Sequence, residues 1–136
     1  QVADDARRLR AEGALDAEEE DCILITNRYR IMMGLAPLRI DPRLLKASRG
    51  HSDDMTARNY FAHNDPEGRG PGNRAQAAGF VGAAGENIYM GLPSGQAAFE
   101  GWRHSSGHHR GMLGARWTVI GVARNGNRWT MMLGAP

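Results

Sequence analysis

Three short stretches hold the side chains that could do chemistry: YFAHNDPEG with His63, AAGENIYMG with Glu86, and GWRHSSGHHRGML with Ser105 and His108. Two imidazoles and a carboxylate suit three tasks. They could hold a divalent metal, with His63 and His108 as neutral nitrogen ligands and Glu86 as a ligand or as the base behind them. They could relay a proton. They could bind a polar ligand. Ser105, three residues before His108, adds an acyl-transfer arrangement with Ser105 as nucleophile, His108 as base and Glu86 as orienter. No glycine-flanked nucleophile elbow surrounds Ser105, so a capping or turn serine is the plainer reading. The spacing of the three groups carries no metal signature, unlike two histidines four apart on a helix. A bland alternative therefore stays open, in which Glu86 caps loop amides and each histidine satisfies a buried carbonyl.

Glu86 makes a physical demand of its surroundings. It stands with Asn87 at the mouth of a short apolar run, residues 88–90. If that run is a strand entering the core, an unpaired carboxylate there must find a partner or give up its charge. The expectation is that His63 and His108 arrive from the two sides to meet it. Asn87 is expected to tie down backbone near the strand start. His51 reads as a packed, hydrogen-bonded residue, and His104 and His109 read as solvent-facing. Arg30, on one helix face with Asn27, suits pinning carbonyls or a carboxylate.

Several elements must position these groups. Residues 1–12 read as a short polar helix broken at Gly13, followed by a second helix from the acidic run 16–21 to Gly34. Its expected inner face is Cys22, Ile25, Tyr29, Met32 and Met33, which makes Cys22 core rather than nucleophile. Asp41 and Pro42 form a helix start, and Leu44, Ala47, His51 and Met55 line the inner stripe of a helix reaching about residue 59. The stretch NDPEGRGPGN is too rich in Gly and Pro for regular structure, and a short helix over 74–78 ends at Gly79. Strands are expected at 86–90, 117–124 and 128–133, the last two joined by a tight turn at Asn125 and Gly126. Neither of those two alternates cleanly, so both faces should be covered. A helix over 94–104 completes an α/β sandwich with an antiparallel centre, in which the segment of His108 leaves the helix as a loop.

Composition narrows the class. The chain of 136 residues is one ordinary domain in size, and 41% hydrophobic with 24% charged residues is the balance of a globular protein. No apolar run approaches the roughly 20 residues of a membrane span. Residues 1–21 hold eight acids and three arginines, and residues 22–136 hold seven acids and fourteen bases. The bases are dispersed without an aromatic-interleaved stripe, which argues against nucleic acid as a partner. The single cysteine excludes an intrachain disulfide. The chain starts at Gln1 without a signal-peptide pattern, so a processed form is expected.

The succession NRYRIMMGLAPLRIDPRLLKASRGHSDDM, YFAHNDPEG, AAGENIYMG, GWRHSSGHHRGML and TVIGVARNGNRW resembles the CAP superfamily. These are SCP-like domains, related to cysteine-rich secretory proteins, antigen 5 and pathogenesis-related proteins of group one. The likeness is to the cysteine-poor bacterial branch and runs from about residue 21 to residue 134. It implies an α-β-α sandwich around a small antiparallel sheet, with residues 1–20 as a helical extension and 21–136 as the domain. It also implies a central cleft of two histidines and two acids that holds zinc in some members. Carried over, these are His63, Glu86 and His108, while Ser105 stands where eukaryotic members place the second acid and Arg116 where a later histidine would be. The expectation is a secreted or envelope-exposed monomeric binding module rather than an enzyme. Its partner would be a small apolar molecule, a peptide or a cell-wall component, with Zn2+ at His63 and His108 as the cofactor to test. The alternative is a metal-assisted hydrolase using the same cleft.

Overall fold

A computed structural model describes residues 2–136, with nothing to say of the side chain of Val2. In chain order the elements are α1 (Val2–Ala11), α2 (Ala17–Met32), β1 (Arg39–Ile40), α3 (Pro42–Ala57), α4 (Pro71–Ala77), β2 (Ala83–Met90), α5 (Gly95–Arg103), α6 (Ser106–Met112), β3 (Val119–Asn125) and β4 (Arg128–Ala135). The strands form one sheet in the order β1-β3-β4-β2. All pairs are antiparallel except the two-residue β1, which runs parallel to β3. One apolar cluster joins α2, α5 and the sheet through Ile23, Phe99, Trp102 and Trp129. A second joins α3, α4 and the sheet through Leu44, Ala75 and Met132. This is the expected α-β-α sandwich.

The helix starts follow from their caps. Asp16 accepts from the Glu19 amide while the Glu19 carboxylate accepts from the Asp16 amide, a reciprocal capping box that opens α2. Asp41 accepts from the amide of Arg43 at 2.8 Å and Pro42 follows it at the first turn of α3. Ser48, Ser52 and Thr56 of α3 donate to the carbonyls of Gly121, Ala123 and Asn125 of β3. Four helical residues rise about 6 Å and two strand residues about 6.8 Å, so the two ladders keep step. At Gly121 the approach is so close that a Cβ would fall on the backbone of Leu44 and Leu45.

Several expectations need correction. The buried face of α2 includes Cys22, Ile23, Thr26, Asn27 and Arg30, and the expected Ile25 and Tyr29 pack partly buried against the same core, whereas Met32 and Met33 at the end of the helix are exposed. Helix α4 starts at Pro71, inside the stretch expected to be irregular. Pro71 needs no hydrogen-bonded N–H there, and Asn73 reaches back to the Gly70 amide. The β3–β4 register pairs Asn125 with Arg128, so the turn residues are Gly126 and Asn127, with Gly126 supplying the positive φ of 59°. The 106–112 segment is a helix rather than a loop, starting from Ser105. The second helix begins at Ala17, so the boundary expected after residue 20 falls inside it.

Candidate functional site

Strand β2 is the edge of the sheet, and its alternation aims two consecutive side chains in opposite directions. Glu86 lies opposite Met132, which belongs to the α3–α4 side, and Asn87 lies opposite Met131, which belongs to the α2–α5 side. The site therefore straddles the sheet edge in two halves.

In the first half the Glu86 side chain is 1% exposed and both of its oxygens are engaged. Oε1 accepts from Nδ1 of His63 at 2.8 Å, and Oε2 accepts from Nη2 of Arg74 at 2.7 Å. Nε2 of His51 lies 3.9 Å from Oε1 and donates to the Ala62 carbonyl at 2.8 Å. The same Nη2 of Arg74 also donates to the His63 carbonyl at 2.7 Å. The loop bearing His63 is thus pinned on both sides of the histidine. Glu86 as hydrogen-bond partner raises the pKa of His63, whose side chain remains 49% exposed. Burial lowers that of His51, with the Glu86 charge opposing the shift. His51 and Arg74 of this clamp also line an open pocket of about 340 Å³, together with Asp54 and Arg58.

The second half rides on α6. Ser105 occupies the N-cap position, yet its hydroxyl makes no cap and instead meets Nδ1 of His108 at 3.0 Å. The helix is held by its backbone: Asn87 donates to the His108 carbonyl, Trp117 to that of Gly111, and Arg30 to those of Met112 and Gly114. Tyr29 meets Nε2 of His109 at 2.6 Å. Burial lowers the pKa of His108, and the positive charge of His63 lowers it further, which joins the two halves electrostatically.

Each sequence-based assignment can now be placed. His63 and Glu86 meet as expected, but the charge that balances Glu86 is Arg74, which sequence reasoning missed. His51 also lies closer to the acid than its place on an apolar stripe suggested. A buried carboxylate calls for a guanidinium, and Arg74 was the residue at the expected helix start nearest the loop. The Ser105–His108–Glu86 triad is not assembled, because Glu86 faces the other side of the sheet and holds His63 instead. His109 is partnered by Tyr29 rather than facing solvent alone. Asn87 holds the backbone of α6, not of its own strand.

A resident zinc does not fit the donor set. The described residues contain no group of three His, Cys, Asp or Glu able to hold a metal ion. Both Glu86 oxygens are engaged, and Arg74 puts a positive charge where a dication would need a ligand. Nε2 of His63 and Nε2 of His108 have no hydrogen-bond partner among the described residues.

Comparison with known proteins agrees with the fold. The model of the cysteine-rich secretory protein family, CAP, matches residues 24–131. The "Uncharacterized protein YkwD" of Bacillus subtilis (strain 168) is 35% identical over 123 residues, covering 88% of this chain and 48% of that protein. A crystal structure of an extracellular protein containing a SCP domain from Bacillus anthracis str. Ames superposes with a TM-score of 0.86 at 30% identity, over 89% of this chain and 41% of that one. An outer surface protein from Borrelia burgdorferi shares the fold at a TM-score of 0.82 and 17% identity, over 88% of this chain and 93% of that one. The chain thus spans about half or less of the two Bacillus proteins. No helix among the described residues is long and apolar enough to cross a membrane.

Proposed function

Since this chain belongs to the CAP family, we propose that it is an extracytoplasmic binding module whose cleft takes a hydrogen-bonding ligand, a peptide or a cell-wall component. The observation that carries this reading is the way each of the two imidazoles is held. Each has its Nδ1 engaged, by Glu86 or by Ser105, which orients the ring and leaves Nε2 for a ligand. Polar atoms at the accessible edge favour such ligands over a small apolar molecule. The description of the Bacillus anthracis relative as extracellular supports the location.

The test is calorimetric titration of solubilised peptidoglycan fragments and short peptides into the wild type and a His63→Ala/His108→Ala double variant. The variant should keep its cooperative unfolding and lose the binding heat. Global unfolding of the variant would assign the pair a structural role only. Binding should be indifferent to chelators, because the two histidines offer zinc no third protein ligand; loss of binding in EDTA, restored by zinc, would overturn that statement.

The His63–Glu86 pair also supports a second reading, hydrolysis with His63 as general base and Glu86 as its orienter. No nucleophilic side chain bonds to His63 among the described residues, so water would have to attack. Ester or peptide turnover that disappears in Glu86→Gln would favour this reading, and turnover that survives the substitution would remove it.

A further inference from the structure

Helices α1 and α2 and strand β1 enclose a groove of about 780 Å³ that shares no residue with the cleft. Its apolar lining comes from Leu24, Ile31 and Pro37, and Ile31 is 57% exposed. Arg7 of α1, Arg28 of α2 and Arg39 of β1 also line it, and no acid among the described residues does. Asp5 holds the Arg39 guanidinium at 2.7 and 3.1 Å, and Asp4 meets Arg7 at 3.1 Å in an exposed pair. The Arg28 side chain enters none of the ion pairs or hydrogen bonds of the described residues.

We propose that this groove docks an acidic peptide segment with one apolar face. The cations stand on three separate elements, and of the three Arg28 is the one that no acid of the described residues meets. A single-headed amphiphile would answer Arg28 alone; a peptide that alternates carboxylates with apolar side chains answers Arg28 and also competes for the exposed Arg7. Leu24 and Ile31 lie two turns apart on α2, about 10 Å, which is the reach of two apolar anchors seven residues apart on a partner helix. Exposed pairs such as Arg7–Asp4 contribute little by themselves and give way readily to a better-placed anion.

The test uses fluorescence anisotropy with three labelled peptides: acidic and amphipathic (ELLEELLEELL), its lysine counterpart (KLLKKLLKKLL), and an all-glutamate chain of the same length. The first should bind, more weakly as salt rises, and the other two should not. Arg28→Glu and Ile31→Asp should each weaken binding about tenfold, while the charge-matched Lys46→Glu on α3 should leave it unchanged. Both groove positions are exposed, so folding should persist, and circular dichroism checks it; if Ile31→Asp unfolds, Arg28→Glu decides. Equal loss in Arg28→Glu and Lys46→Glu, equal binding of the all-glutamate chain, or absence of binding would overturn the proposal. So would displacement of the peptide by dodecanoate at equal concentration, which would assign the groove to a fatty carboxylate instead.

Discussion

The two halves of the cleft are built by opposite strategies. Around Glu86 the side chains hold one another: a buried carboxylate bonds a histidine and an arginine, and the arginine in turn bonds the backbone of the histidine. Around His108 the side chains of the frame hold backbone, since Arg30, Asn87 and Trp117 all donate to carbonyls of α6 and its exit. The first design fixes a charge and its neighbours at high energetic stake. The second fixes where a short helix lies and leaves the His108 ring held by one contact, from Ser105.

Breaking the first half should have the largest effect. Glu86→Ala leaves Arg74, 14% exposed, without its partner, and should cost about 3–5 kcal/mol in denaturant unfolding. Glu86→Gln should cost less because it retains the shape and one acceptor. If Glu86→Ala cost under about 1 kcal/mol, the clamp would be ornamental and the contrast between the halves would fail.

Loosening the second half should be milder. Asn87→Ala removes one donor to α6 and should cost about 1 kcal/mol. Its mark should be faster amide exchange over residues 106–112 with unchanged exchange in α3. Equal acceleration in both would mean that the halves are not separately held.

Titration should sharpen the comparison without damaging either half. By NMR, His63 should titrate above 6.5, and His51 and His108 below it. The signs follow from linkage. His63, with its raised pKa, adds stability that is full below about pH 6.5 and fades as pH climbs through its folded value. His51 and His108, with lowered pKa values, withdraw stability as pH falls from about 6.5 through theirs. His63→Ala should move the pKa of His108 upward by removing the neighbouring charge, and no movement would mean the halves do not sense each other.

The smallest effect belongs to Ser105→Ala. The hydroxyl makes no cap, so the change should stay within about 1 kcal/mol in thermal unfolding. A loss comparable with that of Glu86→Ala would make Ser105 an anchor rather than a tuning contact.

The helix starts at Asp16, Asp41 and Ser94 were legible because caps are local chemistry, and the β3–β4 hairpin because its apolar runs flank a glycine turn. The His63–Glu86 contact was anticipated from the need to balance a carboxylate. Arg74 was not, since nothing local marks which of sixteen arginines will fold back on a given acid. Helix α6 was hidden by its two glycines, whose low propensity is overcome by four bonds from distant residues to its backbone and exit. The exposed Met32 and Met33 misled because apolar periodicity does not say where a helix stops touching its neighbours.

The absent side chain at Gly121 has a mechanical consequence. With the backbone of α3 pressed against the sheet and three hydroxyls meshed into it, the helix can neither slide nor roll over β3. His51 on that helix and Glu86 on that sheet therefore move as a single solid piece. The loop of His63 and the short helix of His108 lie outside that block.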